Sequence, residues 1–282
     1  MTRVSLNANA TRPASALVMT TLAATLLASA AGVMLIDART ARGASSEMIR
    51  LAQADFAVEE LISQVVVRLD AGEPLQAGGL VFEDARGGRV FRQDAAGLVD
   101  VNRAPPETLA RLFLAIGVES AEAVALADRV ADWRDEDTLA RINGAEAEEY
   151  AEAGVLLPAN RAFSTEGELA LVLGMGAETL HCVLPYLTIY SGQADIDVAA
   201  APPALAQLLS IETTTRTDAT APIGRVIRLT AEAPLSGEAV MRRTIWLRLT
   251  GDAGAPVLVH RGEQSIGARN AAPLEQCVAA PS

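Results

Sequence analysis

The chain has 282 residues, carries a net charge of −12 and has a sequence pI near 4.7. Because an acidic protein repels phosphate backbones, and because no cluster of basic residues offsets the charge, the composition argues against nucleic acid as a partner. The length suits one large domain or two modest ones. Aromatic residues make up only 4% of the chain, so large core anchors are few.

An uncharged apolar run extends from Ala14 to Ile36 near the start of the sequence. It is long enough for a helix that crosses a bilayer, which needs about 20 residues. Arg3 and Arg12 precede it, so the positive-inside rule predicts a cytoplasmic N-terminus with the bulk of the chain outside. A cleaved secretory signal is the alternative, since Ala28-Ser29-Ala30 resembles its cleavage site, but the apolar core of such signals is shorter, about 7–15 residues.

The stretch 38–69 predicts an amphipathic helix that Gly72 and Pro74 end. Apolar residues recur there at helical spacing and form one stripe: Leu51, Val58, Ile62, Val65 and Leu69. An unbroken helix from Ser15 to Leu69 would be about 80 Å long. Two interpretations fit this pattern. One is a pilin-like helix whose striped half lies on a globular head, and the other is a single-pass anchor with a helical stalk.

The rest of the chain predicts an α+β fold in which a large inserted helical domain interrupts a small antiparallel sheet. Strands are predicted within 78–101, where Gly87-Gly88 is a hairpin turn signal, and again within 222–262. The intervening segment, 102–210, has mostly helical patterning. Together with the N-terminal helix, this order of elements is that of a pilin-like head carrying an insertion.

Turn and cap signals place individual helices within the inserted segment. Asn102 is expected to cap a helix that begins near Pro105, and Ser164 is expected to open another that ends at Gly174-Met175-Gly176. Similar glycine turns join the helices of helix-hairpin-helix DNA-binding modules, where backbone amides and basic side chains hold a phosphate. Since this segment contains no lysine, we interpret the turns as packing hairpins and keep nucleic-acid binding as the weaker alternative.

The histidines and cysteines offer no catalytic arrangement. His181 stands beside Cys182, but adjacent helix positions point about 100° apart, and neither it nor His260 has a visible orienting group. Nucleophile-elbow, zinc-protease and phosphate-loop motifs are absent from the sequence, so no enzyme is predicted. Cys182 and Cys277 form no metal or redox motif. A disulfide between them and two unlinked thiols are both compatible with their spacing.

Acidic residues and one asparagine concentrate in one short part of the insertion: Asp132, Asp135, Glu136, Asp137, Asn143, Glu146, Glu148 and Glu149. If Asp135 is the first position of a calcium loop, then Asp137, Asn143 and Glu146 fall at oxygen-donating positions of an EF-hand. Leu139 and Ala140 stand where an EF-hand needs an oxygen and a glycine, so the loop is not one. A cation site of another geometry and a solvated acidic loop both remain open.

Several motifs follow one another between about 98 and 210. They are Val101-Asn102-Arg103-Ala104, Asp132-Trp133-Arg134-Asp135-Glu136-Asp137, Asn143-Gly144-Ala145-Glu146, Pro158-Ala159-Asn160-Arg161, Glu168-Leu169 leading to Gly174-Met175, and Pro185-Tyr186-Leu187-Thr188-Ile189-Tyr190. In combination they resemble the GspK family, the minor pseudopilins of the bacterial type II secretion system. The family pattern is close to D-W-x-D-x-D…N-G-A-E, followed by E-L-x-x-V-x-G-M.

This resemblance implies a structural protein of the inner membrane, anchored once, with its bulk in the periplasm at the tip of a short pseudopilus. It implies the minor pseudopilins of types I and J, the major pseudopilin and prepilin peptidase as partners. It also implies bound calcium, and raises Asp135, Asp137, Asn143 and Glu146 from a compositional cluster to the expected ligands.

Processing is the remaining implication of the resemblance. Prepilin peptidase cuts its substrates after a glycine that follows a basic leader, and the new N-terminus is methylated. The matching position here is Ala14, which would make Ser15 the first mature residue. Met19 then replaces the glutamate of ordinary pilins, as expected at a tip where a buried charge would lack a neutralising neighbour. The implied segments are a leader (1–14), a membrane helix (15–36), a pilin-like helix and first strands (37–101), the inserted α-domain (102–210), C-terminal strands (211–266) and a loose tail (267–282).

Overall fold

The computed structural model describes residues 45–73, 78–212, 224–250 and 255–269. The chain forms two compact units, Met1–Gln53 and Ala54–Ser282, and the architecture below belongs to the second. The predicted leader, the apolar run, Pro74 and Cys277 lie outside the described residues. In the described ranges, no helix combines the length and the apolar character that a membrane crossing requires.

The first helix, α1, occupies residues 45–70 and has two unlike faces. The predicted stripe is confirmed at Val58, Ile62, Val65 and Leu69, which are buried together with Ala54 and Leu61, whereas Leu51 is only partly buried. Phe56 and Val67, about three helical turns apart, lie on the opposite face. They are 75% and 66% exposed. The helix therefore has one apolar face in the core and apolar side chains in solvent on the other.

Five strands form an antiparallel sheet in the order β1-β2-β5-β6-β7. The strands are β1 (Gly79–Glu83), β2 (Arg89–Asp94), β5 (Val226–Pro234), β6 (Ala239–Thr250) and β7 (Ala255–Ala268). The predicted hairpin is confirmed, because β1 and β2 flank Gly87 with its positive φ of 80°. The last strand extends to Ala268, two residues beyond 266, where the predicted C-terminal strands end.

Contacts from α1 attach it to one face of this sheet. A Cβ on Gly88 would lie 2.8 Å from Cδ1 of Leu61, so the absence of a side chain lets the helix approach the hairpin. The guanidinium of Arg68 lies 4.7 Å from the ring centroid of Phe82. Arg243 of β6 donates to the carboxylate of Asp55 at 2.8 Å and also pairs with Glu59. The close packing at Gly88 and the ion pairs of Arg243 therefore hold the helix at one position on the sheet.

The helical part contains five α-helices within the described residues: α2 (Pro106–Ala115), α3 (Ser120–Arg134), α4 (Ala147–Glu152), α5 (Ala177–Val183) and α6 (Pro203–Leu208). The helix predicted to open at Ser164 is instead a short 3-10 helix, Glu166–Leu171. Asn102 is not the cap of α2, since Pro105 precedes its first turn. The mixed α+β fold is confirmed, while the division of the chain into six segments stays a prediction.

A two-stranded parallel ladder joins the two ends of the helical part. Strand β3 (Val99–Asp100) pairs with β4 (Leu187–Thr188). The buried carboxylate of Asp100 accepts hydrogen bonds from the hydroxyl of Ser191 at 2.9 Å and the backbone N–H of Gly192 at 2.8 Å. The helices therefore leave and re-enter the sheet domain at one point. Strands this short show no alternation, so periodicity does not reveal their pairing.

Polar contacts and close packing fix this helical part against the sheet. Arg225, just before β5, donates to Asp94 at 2.9 Å and to Asp197 at 2.5 Å. A Cβ on Gly97 would overlap the backbone carbonyl of Ala200, so this approach requires glycine. The core continues through the aromatic rings of the helical part and reaches Val226 and Trp246 of the sheet.

The side chain of Asn102 makes two hydrogen bonds in this region that can be tested by substitution. Its amide nitrogen donates to the carbonyl of Phe163 at 3.0 Å, and its amide oxygen accepts from the N–H of Phe163 at 2.7 Å. Asn102→Ala leaves both backbone groups unpaired, so we expect the free energy of unfolding to fall by about 1–3 kcal/mol in urea titrations. Arg103→Ala, at the exposed neighbouring position, should change it by less than about 0.5 kcal/mol. Equal effects of the two substitutions would contradict this assignment.

Candidate metal centre

Asp132 organises the loop that joins α3 to α4. Its side chain is fully buried near the end of α3. The carboxylate accepts hydrogen bonds from the guanidinium of Arg141 at 2.6 Å, from the N–H of Arg141 at 3.1 Å and from the N–H of Ala145 at 3.0 Å. Burial raises the pKa of Asp132, and the hydrogen bonds from Arg141 act in the opposite direction. These three bonds fold the loop back onto the helix.

Gly144 makes this folding possible. A Cβ at this position would overlap Oδ2 of Asp132 and come close to the backbone nitrogen of Arg141. Only glycine lets the backbone pass this near to the buried carboxylate. The packing of the loop therefore requires the glycine of the Asn-Gly-Ala-Glu motif. The last residue of the motif, Glu146, lies immediately before the first turn of α4.

Three of the four predicted ligands come together at this loop. One carboxylate oxygen from each of Asp135, Asp137 and Glu146 lies within 4.8 Å of the others. The fourth, Asn143, is exposed, and its amide nitrogen donates to Oδ2 of Asp128 at 3.0 Å. That contact attaches it to α3, and its membership of a ligand set stays a prediction.

Glu146 is the unusual member of the cluster. It is 5% exposed, and its carboxylate, which faces the N–H of Glu149 in the capping box of α4, has no well-placed hydrogen-bond partner among the described residues. Its own N–H donates to the carboxylate of Glu149 at 2.8 Å, which secures the backbone but not the side chain. Burial raises the pKa of Glu146, and the nearby charges of Asp132, Asp135 and Asp137 raise it further. A buried carboxylate among like charges is costly unless a cation is bound beside it.

The two carboxylate oxygens of Asp135 have different surroundings. Oδ2 accepts from the guanidinium of Arg141 at 2.8 Å, while Oδ1 is buried without a hydrogen-bond partner in the described ranges. The pKa of Arg141 is raised by its hydrogen bonds to Asp135 and Asp132. Asn160 adds another buried oxygen nearby, since its amide nitrogen donates to the carbonyl of Asp137 at 3.1 Å and its Oδ1 has no described partner. An all-oxygen donor set of this kind suits a hard divalent cation.

An aromatic cluster supports the loop from the core side. Trp133 packs against Tyr150 and Phe163 with ring centroids 5.8 Å and 6.1 Å away. Arg134 then donates to the carbonyl of Ala104 at 2.6 Å and also to that of Val101. Three successive residues of the Asp-Trp-Arg-Asp motif thus contact the loop, the aromatic core and the segment before α2.

The structuring roles of Asp132, Arg141 and Gly144 were missed by sequence reasoning. Asp132 stood in the acidic cluster, but spacing arguments weigh ligand positions and do not identify the residue that folds the loop. A glycine between an asparagine and a buried alanine was the available signal for a close backbone approach.

The other predicted site residues lie apart from this cluster. His181 is exposed on α5, and its neighbour Cys182 is buried and disulfide-bonded. Cys277 lies outside the described residues, as do Ala14 and Ser15. The pairing of Cys182 with Cys277 and the cleavage after Ala14 therefore stay predictions.

Gly144 provides a direct test of the loop geometry. We expect Gly144→Ala to lower the free energy of unfolding by about 1–3 kcal/mol, because the added methyl must displace Asp132 or the loop backbone. Gly167→Ala is the matched control, since a Cβ there would meet only Oγ1 of Thr165 at 3.8 Å. Urea titrations of both variants check this expectation. A Gly144→Ala protein as stable as the control would contradict the described packing.

Comparisons with known proteins find similarity in this part of the chain. Residues 89–192 match the family model for type II secretion system (T2SS) protein K. Type II secretion system protein K of Dickeya chrysanthemi is 32% identical over 101 residues, which cover 36% of this chain. The match spans only 28% of the length of that relative.

A solved structure covers more of the chain at lower similarity. It is the crystal structure of the GspK-GspI-GspJ complex from the enterotoxigenic Escherichia coli type 2 secretion system, with 16% identity and a TM-score of 0.47. The similarity covers 80% of this chain and 99% of the matched chain. The sequence comparisons therefore show that residues 89–192 are similar to protein K of the type II secretion system.

Proposed function

We propose that the whole chain is a minor pseudopilin of a bacterial type II secretion system, with a structural role at the tip of the periplasmic pseudopilus. The observation that carries this proposal is the protein K family match over 89–192, the segment that contains the acidic cluster, its supporting Asp132 and the aromatic core. The proposal extends the identity of that segment to the flanking helix and strands.

The two faces of α1 support an assembly role. Its buried face already packs against the sheet of its own chain, so Phe56 and Val67 on the opposite face have no function in that core. Exposed apolar side chains at helical spacing are suited to packing against the helix of another subunit. The proposed partners are the minor pseudopilins of types I and J and the major pseudopilin.

Anchoring and processing complete the proposal. The uncharged run from Ala14 to Ile36 would hold the chain in the inner membrane, with the N-terminus in the cytoplasm and the bulk in the periplasm. Prepilin peptidase would cut between Ala14 and Ser15. The proposal assigns no catalytic role.

We further propose calcium as the cation of the acidic cluster. Asp135 Oδ1 and the carboxylate of Glu146 are buried acceptors without described donors, and Asp137 supplies a third, exposed carboxylate. A divalent cation there would offset the repulsion that raises the pKa of Glu146. Calcium accepts irregular sets of six to eight oxygens, so solvent and neighbouring oxygens such as Oδ1 of Asn160 would complete its coordination.

Glu146→Gln tests the calcium site. Calcium at about 100 times its dissociation constant should stabilise the wild-type protein by about 2.7 kcal/mol over an EDTA-treated sample, and raise its Tm accordingly. The glutamine variant should lose most of this rise, yet melt at a higher temperature than wild type in EDTA because one repelling charge is gone. Glu148→Gln, at an exposed position of α4, should behave like wild type. An unchanged wild-type Tm after EDTA, in protein verified as metal-loaded beforehand, would refute the site.

Phe56→Glu tests the assembly role. Co-expressed with the I- and J-type pseudopilins of its own secretion system, the wild-type chain should co-purify with both after membrane extraction. The variant should recover at least about tenfold less partner, because a charge replaces an apolar contact. Leu114→Glu makes the same change at an exposed position of α2 and should retain the partners. A wild-type chain that purifies alone would favour a membrane-tethered binding module without a fibre role.

A further inference from the structure

An open apolar groove lies on the surface of the helical part, outside the acidic cluster. It encloses about 720 Å³, and its two walls are the loop 154–156 after α4 and the segment 170–176, which runs from the end of the 3-10 helix to the residue before α5. Leu156 and Leu171 line it and are 69% and 42% exposed. Val155 and Leu157, beside Leu156, are also exposed. Contiguous exposed apolar side chains of this kind mark interaction sites on soluble domains.

The groove is held in shape from the core. The hydroxyl of the buried Tyr150 accepts a hydrogen bond from the N–H of Leu173 at 3.0 Å. The guanidinium of Arg129 donates to the carbonyl of Leu173 at 3.3 Å and pairs with Glu122 at 2.9 Å. Val172, within the same wall, is buried. The wall backbone is therefore fixed by side chains of α3 and α4, while the leucines beside it face solvent.

Exposed acidic residues near the two walls of the groove favour a cationic partner. Glu152 lies two positions before one wall and Glu178 two positions after the other, and both are exposed. The guanidinium of Arg129, which reaches the wall at the carbonyl of Leu173, is paired with Glu122 at 2.9 Å. A phosphate-bearing ligand, whether an anionic lipid or a nucleic acid, would meet repulsion here, whereas a cationic ligand would be attracted.

We propose that this groove binds a short amphipathic and cationic segment of a partner protein. Apolar side chains of the segment enter between Leu156 and Leu171, and its lysine or arginine side chains reach Glu152 and Glu178. Met175 lines the groove as well, and its unbranched side chain adapts to apolar side chains of different shapes. This inference stands apart from the proposed fibre role, because the groove and its charges belong to the helical part alone.

The test uses the full chain in phosphatidylcholine nanodiscs and a fluorescent synthetic amphipathic peptide of leucine and lysine. Fluorescence anisotropy should show saturable binding, and a peptide with glutamate in place of lysine should bind at least about tenfold more weakly. Leu156→Glu and Leu171→Glu should each weaken binding of the lysine peptide at least about tenfold. Glu152→Gln with Glu178→Gln should weaken it and reduce its dependence on salt.

Leu114→Glu is the matched control, because it adds the same charge at an exposed leucine outside the groove and should leave binding unchanged. Non-specific attraction to an acidic protein would be kept or strengthened by the added glutamates, so it cannot imitate the expected loss. Equal binding of the lysine and glutamate peptides, or unchanged binding by both leucine variants, would overturn the proposal. So would photocrosslinks to 154–156 and 170–176 from nanodisc lipid in place of the peptide.

Discussion

The buried carboxylate of Asp132 is the constraint on which the candidate site depends. A charge with no solvent contact is tolerated only when donors surround it, and here they come from Arg141 and Ala145 of the following loop. To reach Asp132, the loop must turn back over the end of α3, and this turn brings Glu146 to Asp135 and Asp137. Satisfying one buried charge thus gathers a second group of carboxylates, in which Oδ1 of Asp135 and the oxygens of Glu146 lack a well-placed donor among the described residues. The loop is ordered as a result, and the carboxylates that it brings together repel one another.

The helical part is held to the sheet by a small number of polar contacts and one ladder. Because β3 and β4 pair in parallel, the chain leaves and returns at the same place, and the helices between them form one continuous core with Trp246 of the sheet. Arg225 adds charge pairs with Asp94 and Asp197 at this junction. Such a junction fixes the orientation of an insertion without a long interface. The acidic cluster and the groove are therefore presented by a body that is anchored at both ends.

Periodicity predicted the large elements of this fold, and it failed where structure depends on distant partners. The stripe on α1, the hairpin at Gly87 and the β-rich segments after 222 were visible because burial on one face leaves a repeating pattern. The ladder of β3 with β4 was invisible, since two residues show no repeat. The local sequence around Asn102 allows a helix cap, yet the side-chain amide of Asn102 pairs with the backbone of Phe163, far along the chain. Three of the four ligands expected from the spacing lie together in the structure. The spacing could not show that Asp132 folds the loop.

The two proposed sites share the short helix α4. A helix of this length is not stable alone, so its six residues depend on contacts at both ends. At its start, the carboxylate of Glu149 secures the N–H of Glu146, while the Glu146 side chain lies among other carboxylates. One turn further on, the hydroxyl of Tyr150 holds the wall of the groove through Leu173. Repulsion at Glu146 therefore acts on the element that positions the groove, and a cation that removes this repulsion would stabilise α4 and the groove wall together.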